Sequence, residues 1–131
     1  MQIMVCGPIG DRGARRILKM IEFLERSGFQ IIKQLSKGRE DYSHIRDFRR
    51  RKQLAHKIIQ HDFSCIKKAD VFIILPEPSF GAAIEMFLAK KLKKKVILFS
   101  DKPMSSPWPI KFSDFVITNK NDLVTILNRM K

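Results

Sequence analysis

A chain of 131 residues with 44% apolar side chains is of single-domain size and buries roughly two-thirds of its unfolded surface, so it needs neither disulfides nor a structural metal. Its 26 Lys and Arg against 13 Asp and Glu leave a net charge of +13, which attracts phosphates, nucleic acid or anionic surfaces without choosing among them. No apolar run reaches membrane-spanning length, the opening Met1–Cys6 stretch lacks the basic n-region of a signal peptide, and Cys6 and Cys65 form no C-x-x-C pair; a reduced, cytoplasmic protein is expected.

Gln2 to Cys6 reads as a first strand, and Gly7 to Gly13 as a glycine-containing turn. Ala14 to Ser27 is helical, with Ile17, Leu18, Ile21 and Leu24 on one face and Gly28 as its stop. Phe29 to Lys33 is a second strand, followed by a polar loop over residues 34 to 42. A longer helix is expected from Ser43 or Asp47 to Lys67, on the spacing of Leu54, Ile58, Ile59, Phe63 and Ile66. Its opening carries Arg49-Arg50-Arg51-Lys52, cations at the end of a helix where they are disfavoured.

Val71 to Leu75 is an unbroken apolar run, the mark of a parallel strand covered on both faces. Pro76, Pro78, Ser79 and Gly81 stop it and open a helix running to about Lys94. The lysine run Lys90 to Lys95 closes that helix and reads as a solvated end, favoured by the dipole. Val96 to Phe99 is a fourth strand, Ser100 to Pro109 a loop holding Trp108, and Phe115 to Thr118 a fifth strand. Asn119 to Asp122 caps a last helix ending at Met130.

Strands alternating with helices predict an α/β fold: one doubly wound, parallel, five-stranded sheet of flavodoxin or Rossmann-like type, order 2-1-3-4-5, over residues 1–131. In that order the turns after the first and third strands line one crevice at the carboxyl edge of the sheet, where ligands bind. Glu85 lies in the first turns of the helix leaving that edge. The dipole is expected to keep its carboxylate ionised, ready as a nucleophile or hydroxyl ligand, or merely as a complement to the helix.

Known motifs for other chemistries are missing. The Gly7–Gly13 turn has the wrong spacing for a dinucleotide fingerprint, and no G-x-x-x-x-G-K-[ST] occurs. His44, His56 and His61 form no metal-binding pattern, so no metal or cofactor is expected. His61 beside Asp62 is either an acid–base couple or a pair of surface residues.

Cys6-Gly7-Pro8-Ile9, His61-Asp62, Ala69-Asp70-Val71 and Pro78-Ser79-Phe80-Gly81 leading to Glu85 resemble, in order and spacing, the nucleoside 2-deoxyribosyltransferase family. The pattern looks most like its branch of 2'-deoxynucleoside 5'-phosphate N-hydrolases and covers residues 2 to about 100. The resemblance implies cleavage or transfer at the N-glycosidic bond of a deoxynucleotide or nucleoside. Glu85 would be the nucleophile at C1', as in a retaining glycosidase, and Asp62 the second site carboxylate. Cys6, Gly7, Ile9, Ser79 and Gly81 would line the substrate site, with Gly7 and Ile9 as its floor and Ser79 at the 5' end. Met4 and Gly10 stand where the branch usually has a tyrosine and an arginine, so Arg12 is either a substitute phosphate ligand or a solvated side chain. A homodimer is also implied, with the Pro103–Pro109 loop and Trp108 covering a neighbour's pocket and Ser105 or Ser106 reaching a phosphate. A non-catalytic nucleotide binder and a basic nucleic-acid-binding module are the rival readings.

Overall fold

The computed structural model describes residues 1–9, 13–33, 45–76 and 79–131. In chain order the elements are β1 Gln2–Cys6, α1 Gly13–Arg26, β2 Gln30–Ile32, α2 Lys52–Lys68, β3 Val71–Ile74, α3 Phe80–Lys91, β4 Lys95–Phe99, α4 Pro107–Lys111, β5 Phe115–Ile117 and α5 Lys120–Met130. The five strands form one parallel sheet in the expected order β2-β1-β3-β4-β5.

Alternation along the central strands divides the core into two layers. Ile3 and Val5 of β1, Val71 and Ile73 of β3 and Ile97 of β4 face Ile17, Ile21 and Leu24 of α1 and Leu123 and Leu127 of α5. Met4 and Cys6, Phe72 and Ile74, and Val96 and Leu98 face the other way, onto Cys65 and Ile66 of α2 and Ala82, Met86 and Ala89 of α3. With helices on both faces every residue of β1 from Ile3 onward is buried, which is why these strands are apolar without interruption. Phe72 is fully enclosed, and truncating such a side chain to Ala costs about 3–5 kcal/mol. Parity places Cys6 in the α2/α3 layer.

Polar ties fix the sheet ends. Asp70 Oδ2 accepts the Gln2 amide at 2.7 Å, locking β1 to the start of β3. Asp114 takes the Val96 amide at 2.8 Å on one oxygen and Lys90 Nζ at 2.7 Å on the other, joining β4, α3 and the entry to β5.

Three boundaries differ from the sequence expectation. The long helix begins at Lys52, because Asp47 clasps Arg49 and the Arg51 amide donates to Phe48 O at 2.9 Å, closing a turn. Arg49 and Arg50 therefore precede the helix, while Arg51 stands at its N-cap and Lys52 opens it. The helix of Glu85 stops at Lys91, and Lys93 takes a left-handed φ of 60° to turn the chain into β4. Part of the expected 100–109 loop is the short α4: Ser106 accepts from the Trp108 amide, and Pro107 and Pro109 fall in a first turn that needs no N–H donors. No helix among the described residues is long and apolar enough to cross a membrane.

Candidate functional site

The strand order reverses between β1 and β3, and the chain leaves them by α1 and α3 respectively. Their carboxyl ends thus open a crevice at the switch point. The Leu75 amide donates to Cys6 O at 2.8 Å, holding the two exits side by side. Gly7 continues flat against this junction: a Cβ there would lie 3.2 Å from Leu75 Cβ and 3.7 Å from Ile17 Cγ1. Gly13 closes the turn, since a Cβ on it would stand 1.6 Å from the Pro8 carbonyl oxygen.

α3 brings three sequence-predicted residues into one small space. Ser79 caps the helix, its Oγ accepting the Ala82 amide at 3.3 Å, and remains exposed. Gly81 follows, and the point where its Cβ would be lies 3.9 Å from Ser79 Oγ and 4.0 Å from Glu85 Oε1. Glu85, one and a half turns in, reaches back beneath them. Its other oxygen, Oε2, accepts a hydrogen bond from Cys6 Sγ at 3.0 Å, joining residues 79 apart in sequence. The two carboxylate oxygens are unlike: one is held by a buried thiol and the other lies 4.0 Å from where a Gly81 Cβ would be.

Asp62 completes the cluster from α2. Its residue is only 7% exposed, so it is a buried acid and not the surface half of a His–Asp pair. It acts electrostatically on both Glu85 and Cys6. His61 Nε2 lies 3.6 Å from Cys65 Sγ.

The electrostatics depart from the sequence expectation. Burial raises the Glu85 carboxyl from its ordinary value of 4.5 to about 7; the Cys6 hydrogen bond pulls it down and the Asp62 charge pushes it up. The helix dipole does not keep it ionised as expected, because a dipole fades beyond the first turn while desolvation acts wherever water is excluded. Burial, then the Glu85 charge, lifts the Cys6 thiol well above its ordinary value, so it stays protonated as an S–H donor. Both cysteines are buried and neither is in a disulfide.

Of the residues named from sequence, Cys6, Asp62, Ser79, Gly81 and Glu85 come together. Gly7 lies along the junction of β1 and β3, while Ile9 packs on the α1/α5 core with its carbonyl accepting the Ala14 amide at 3.0 Å. Arg12 and Gly10 lie outside the described residues. Among the described residues no group of three or more His, Cys, Asp or Glu is arranged to hold a metal. The thiol-to-carboxylate bond is the feature the sequence reading missed; the parity of β1, which puts Cys6 in the α2/α3 layer, was the available signal. A half-buried acid raised to about 7 near a second, buried acid can serve as nucleophile or as acid–base group near neutral pH.

No protein-family model matches the sequence, and no curated protein matches it. Among solved structures, a 2-deoxyribosyltransferase from Bacillus psychrosaccharolyticus superposes with a TM-score of 0.73 at 19% identity, over 95% of this chain and 90% of that one. A CMP N-glycosidase from Clostridium botulinum superposes with a TM-score of 0.59, also at 19% identity, over 98% of this chain and 99% of the other. The five-stranded α/β fold of this chain is the fold of these two proteins.

Proposed function

We propose that this protein cleaves or transfers the N-glycosidic bond of a nucleotide or nucleoside, with a 2'-deoxynucleoside 5'-monophosphate as the favoured substrate. The observation that carries the reading is the pair of carboxylates, half-buried Glu85 and buried Asp62, gathered at the switch-point crevice with a thiol on one Glu85 oxygen. The two proteins that share the fold act on N-glycosides by their names, which supports the same bond here. In the proposed path Glu85 Oε1 attacks C1', the C1'–N bond breaks, and the base leaves with the bonding pair and takes up a proton. Water or a second base then displaces Glu85 from C1'. Asp62 assists the leaving base or holds the sugar. Ser79 and the free amides at the start of α3 receive the 5'-phosphate, and the +13 charge adds long-range attraction.

The active form is proposed to be a homodimer. α3 is apolar on both sides: Ala82, Met86 and Ala89 face the core, while Phe80, Ile84 and Phe87 are exposed, Phe80 at 95% and Ile84 at 61%. Phe112 packs edge-on to Phe87 and Trp108 stacks on Phe112, extending that surface onto α4. Exposed apolar surface of this kind marks interaction sites. Part of the loop expected to cover a neighbour's pocket is the helix α4, whose cap Ser106 accepts the Trp108 amide and, like Ser105, keeps a hydroxyl proton for a phosphate.

The deciding experiment incubates the protein with the four deoxynucleoside monophosphates and their nucleosides and follows free base by chromatography. Release of base by wild type and its loss by at least about a hundredfold in Glu85→Ala is expected, a difference of about 2.7 kcal/mol in barrier. Base release within about tenfold of wild type by Glu85→Ala would remove Glu85 as nucleophile.

A further inference from the structure

We propose that Cys6 is a positioning residue for Glu85: its S–H, delivered from the end of β1 to Oε2, fixes the rotation of the carboxylate and leaves Oε1 as the reacting oxygen. The inference rests on the reading of Glu85 as the attacking group and adds a role for a residue first expected to line the substrate site. Cys6 is almost wholly buried and its side chain is directed at Glu85, so it works through that carboxylate and not by touching a ligand.

The geometry distinguishes the two oxygens. Oε2 is engaged at 3.0 Å by a neutral donor. Oε1 takes no part in that bond and lies 4.0 Å from where a Cβ of the exposed Gly81 would be. A carboxylate free to spin about its last bond would present either oxygen in either orientation; one anchored oxygen halves that freedom and aims the other. The donor also bears on ionisation. From α2, Asp62 opposes the charge on Glu85, and from β1 the thiol favours it. Cys65, also on α2, acts on Cys6, and His61 lies against Cys65. Within this set the Cys6 thiol is the group that lowers the carboxyl, and being neutral it does so without neutralising the charge needed for attack.

The test compares wild type with Cys6→Val, which keeps the volume without a donor, Cys6→Ser, which keeps a donor, and Cys65→Ala as a packing control. Glu85 is titrated by carboxyl 13C NMR in the ligand-free protein, its signal assigned by loss in Glu85→Gln. Wild type is expected to titrate at about 7, Cys6→Val about one pH unit higher, and Cys6→Ser and Cys65→Ala no higher than wild type. In base release, Cys6→Val is expected to lose more than about fivefold in kcat at pH 7; raising the pH to 9 recovers the part due to ionisation and leaves a residual loss, from the unaimed carboxylate, that Cys6→Ser does not show. Disturbed packing alone would not be repaired by pH. The proposal is overturned if Cys6→Val titrates with wild type, or if Cys65→Ala moves the midpoint as far as Cys6→Val does. If wild type releases no base while the NMR midpoints separate as expected, the coupling of Cys6 to Glu85 stands and the glycosidic reading alone falls.

Discussion

A carboxyl in the second turn of a helix gains at most about 0.3–1 kcal/mol from the dipole, whereas a rise from 4.5 to about 7 corresponds to roughly 3 kcal/mol against the ionised form. Between those two pH values the unfolded chain has released the Glu85 proton and the folded protein still holds it. The group's contribution to stability is therefore fully present below about 4.5 and is lost as pH rises through about 7. Glu85→Gln is expected to raise the unfolding free energy measured in urea by roughly 2 kcal/mol at pH 8 and to leave it nearly unchanged at pH 5. A variant no more stable than wild type at pH 8 would contradict the buried charge. With Glu85 as the proposed nucleophile, the same titration is expected to give the base-release rate a rising limb centred near 7, since only an ionised carboxylate attacks. Gly13 is a residue whose constraint is purely steric. A methyl group there would overlap the Pro8 carbonyl oxygen at 1.6 Å, so Gly13→Ala must displace the turn and is expected to cost roughly 2–4 kcal/mol in thermal or urea unfolding. Gly7→Ala meets a side chain at 3.2 Å and should cost less.

At the level of elements, the start of α3 serves both the fold and the crevice. Ser79 caps the helix, and aspartate caps equally well and complements the dipole, so Ser79→Asp is expected to leave stability within about 0.5 kcal/mol of wild type. A carboxylate at that exposed position would repel a phosphate dianion. In a competition between a deoxynucleoside and its 5'-monophosphate, wild type is expected to prefer the monophosphate and Ser79→Asp to shift toward the nucleoside; equal use of both by wild type would remove the phosphate assignment. The strands and their order were legible because each central strand is buried on both faces and so must be apolar throughout. Helix starts were less legible. Arg49 to Arg51 lie outside α2 through an ion pair and a turn bond, Asp47 with Arg49 and Arg51 with Phe48, and periodicity carries no trace of either. α4 was missed because its two prolines read as breakers, although both sit where a first turn tolerates them. Glu85 and Asp62 were legible as residues, whereas the environment that sets Glu85's ionisation was not. That environment is made by β1, α2 and α3 packing together across 79 residues of chain.

Over the whole molecule, the sum of charge and the distribution of apolar surface point in different directions. A charge of +13 opposes self-association at long range, but it is screened beyond about 8 Å at physiological salt. The exposed Phe80 and Ile84 act at contact and are unaffected by screening. Lysines of the α3 end are in part engaged within the chain: Lys90 with Asp114, Lys94 Nζ with Lys67 O at 2.9 Å, and Lys91 over the Phe87 ring. Salt should thus strengthen self-association, and sedimentation velocity at micromolar concentration is expected to give a dimer that tightens between low and physiological ionic strength. Phe80→Asp with Ile84→Asp should yield a folded monomer. A wild-type monomer under all these conditions would remove the dimer and leave the outer face of α3 without a role.

Fluorescence of this protein excited at the red edge of its absorption comes from a single indole, since Trp108 is the chain's only tryptophan. Its ring lies 2° from parallel with Phe112, centroids 6.2 Å apart, and the residue is 70% exposed. In the isolated chain the indole is therefore bathed by water on one side and shielded by a phenyl ring on the other. Apolar contact on the open side would move its emission to shorter wavelength and close it to iodide. The built-in stack makes this surface its own optical gauge, readable in unlabelled protein simply by dilution.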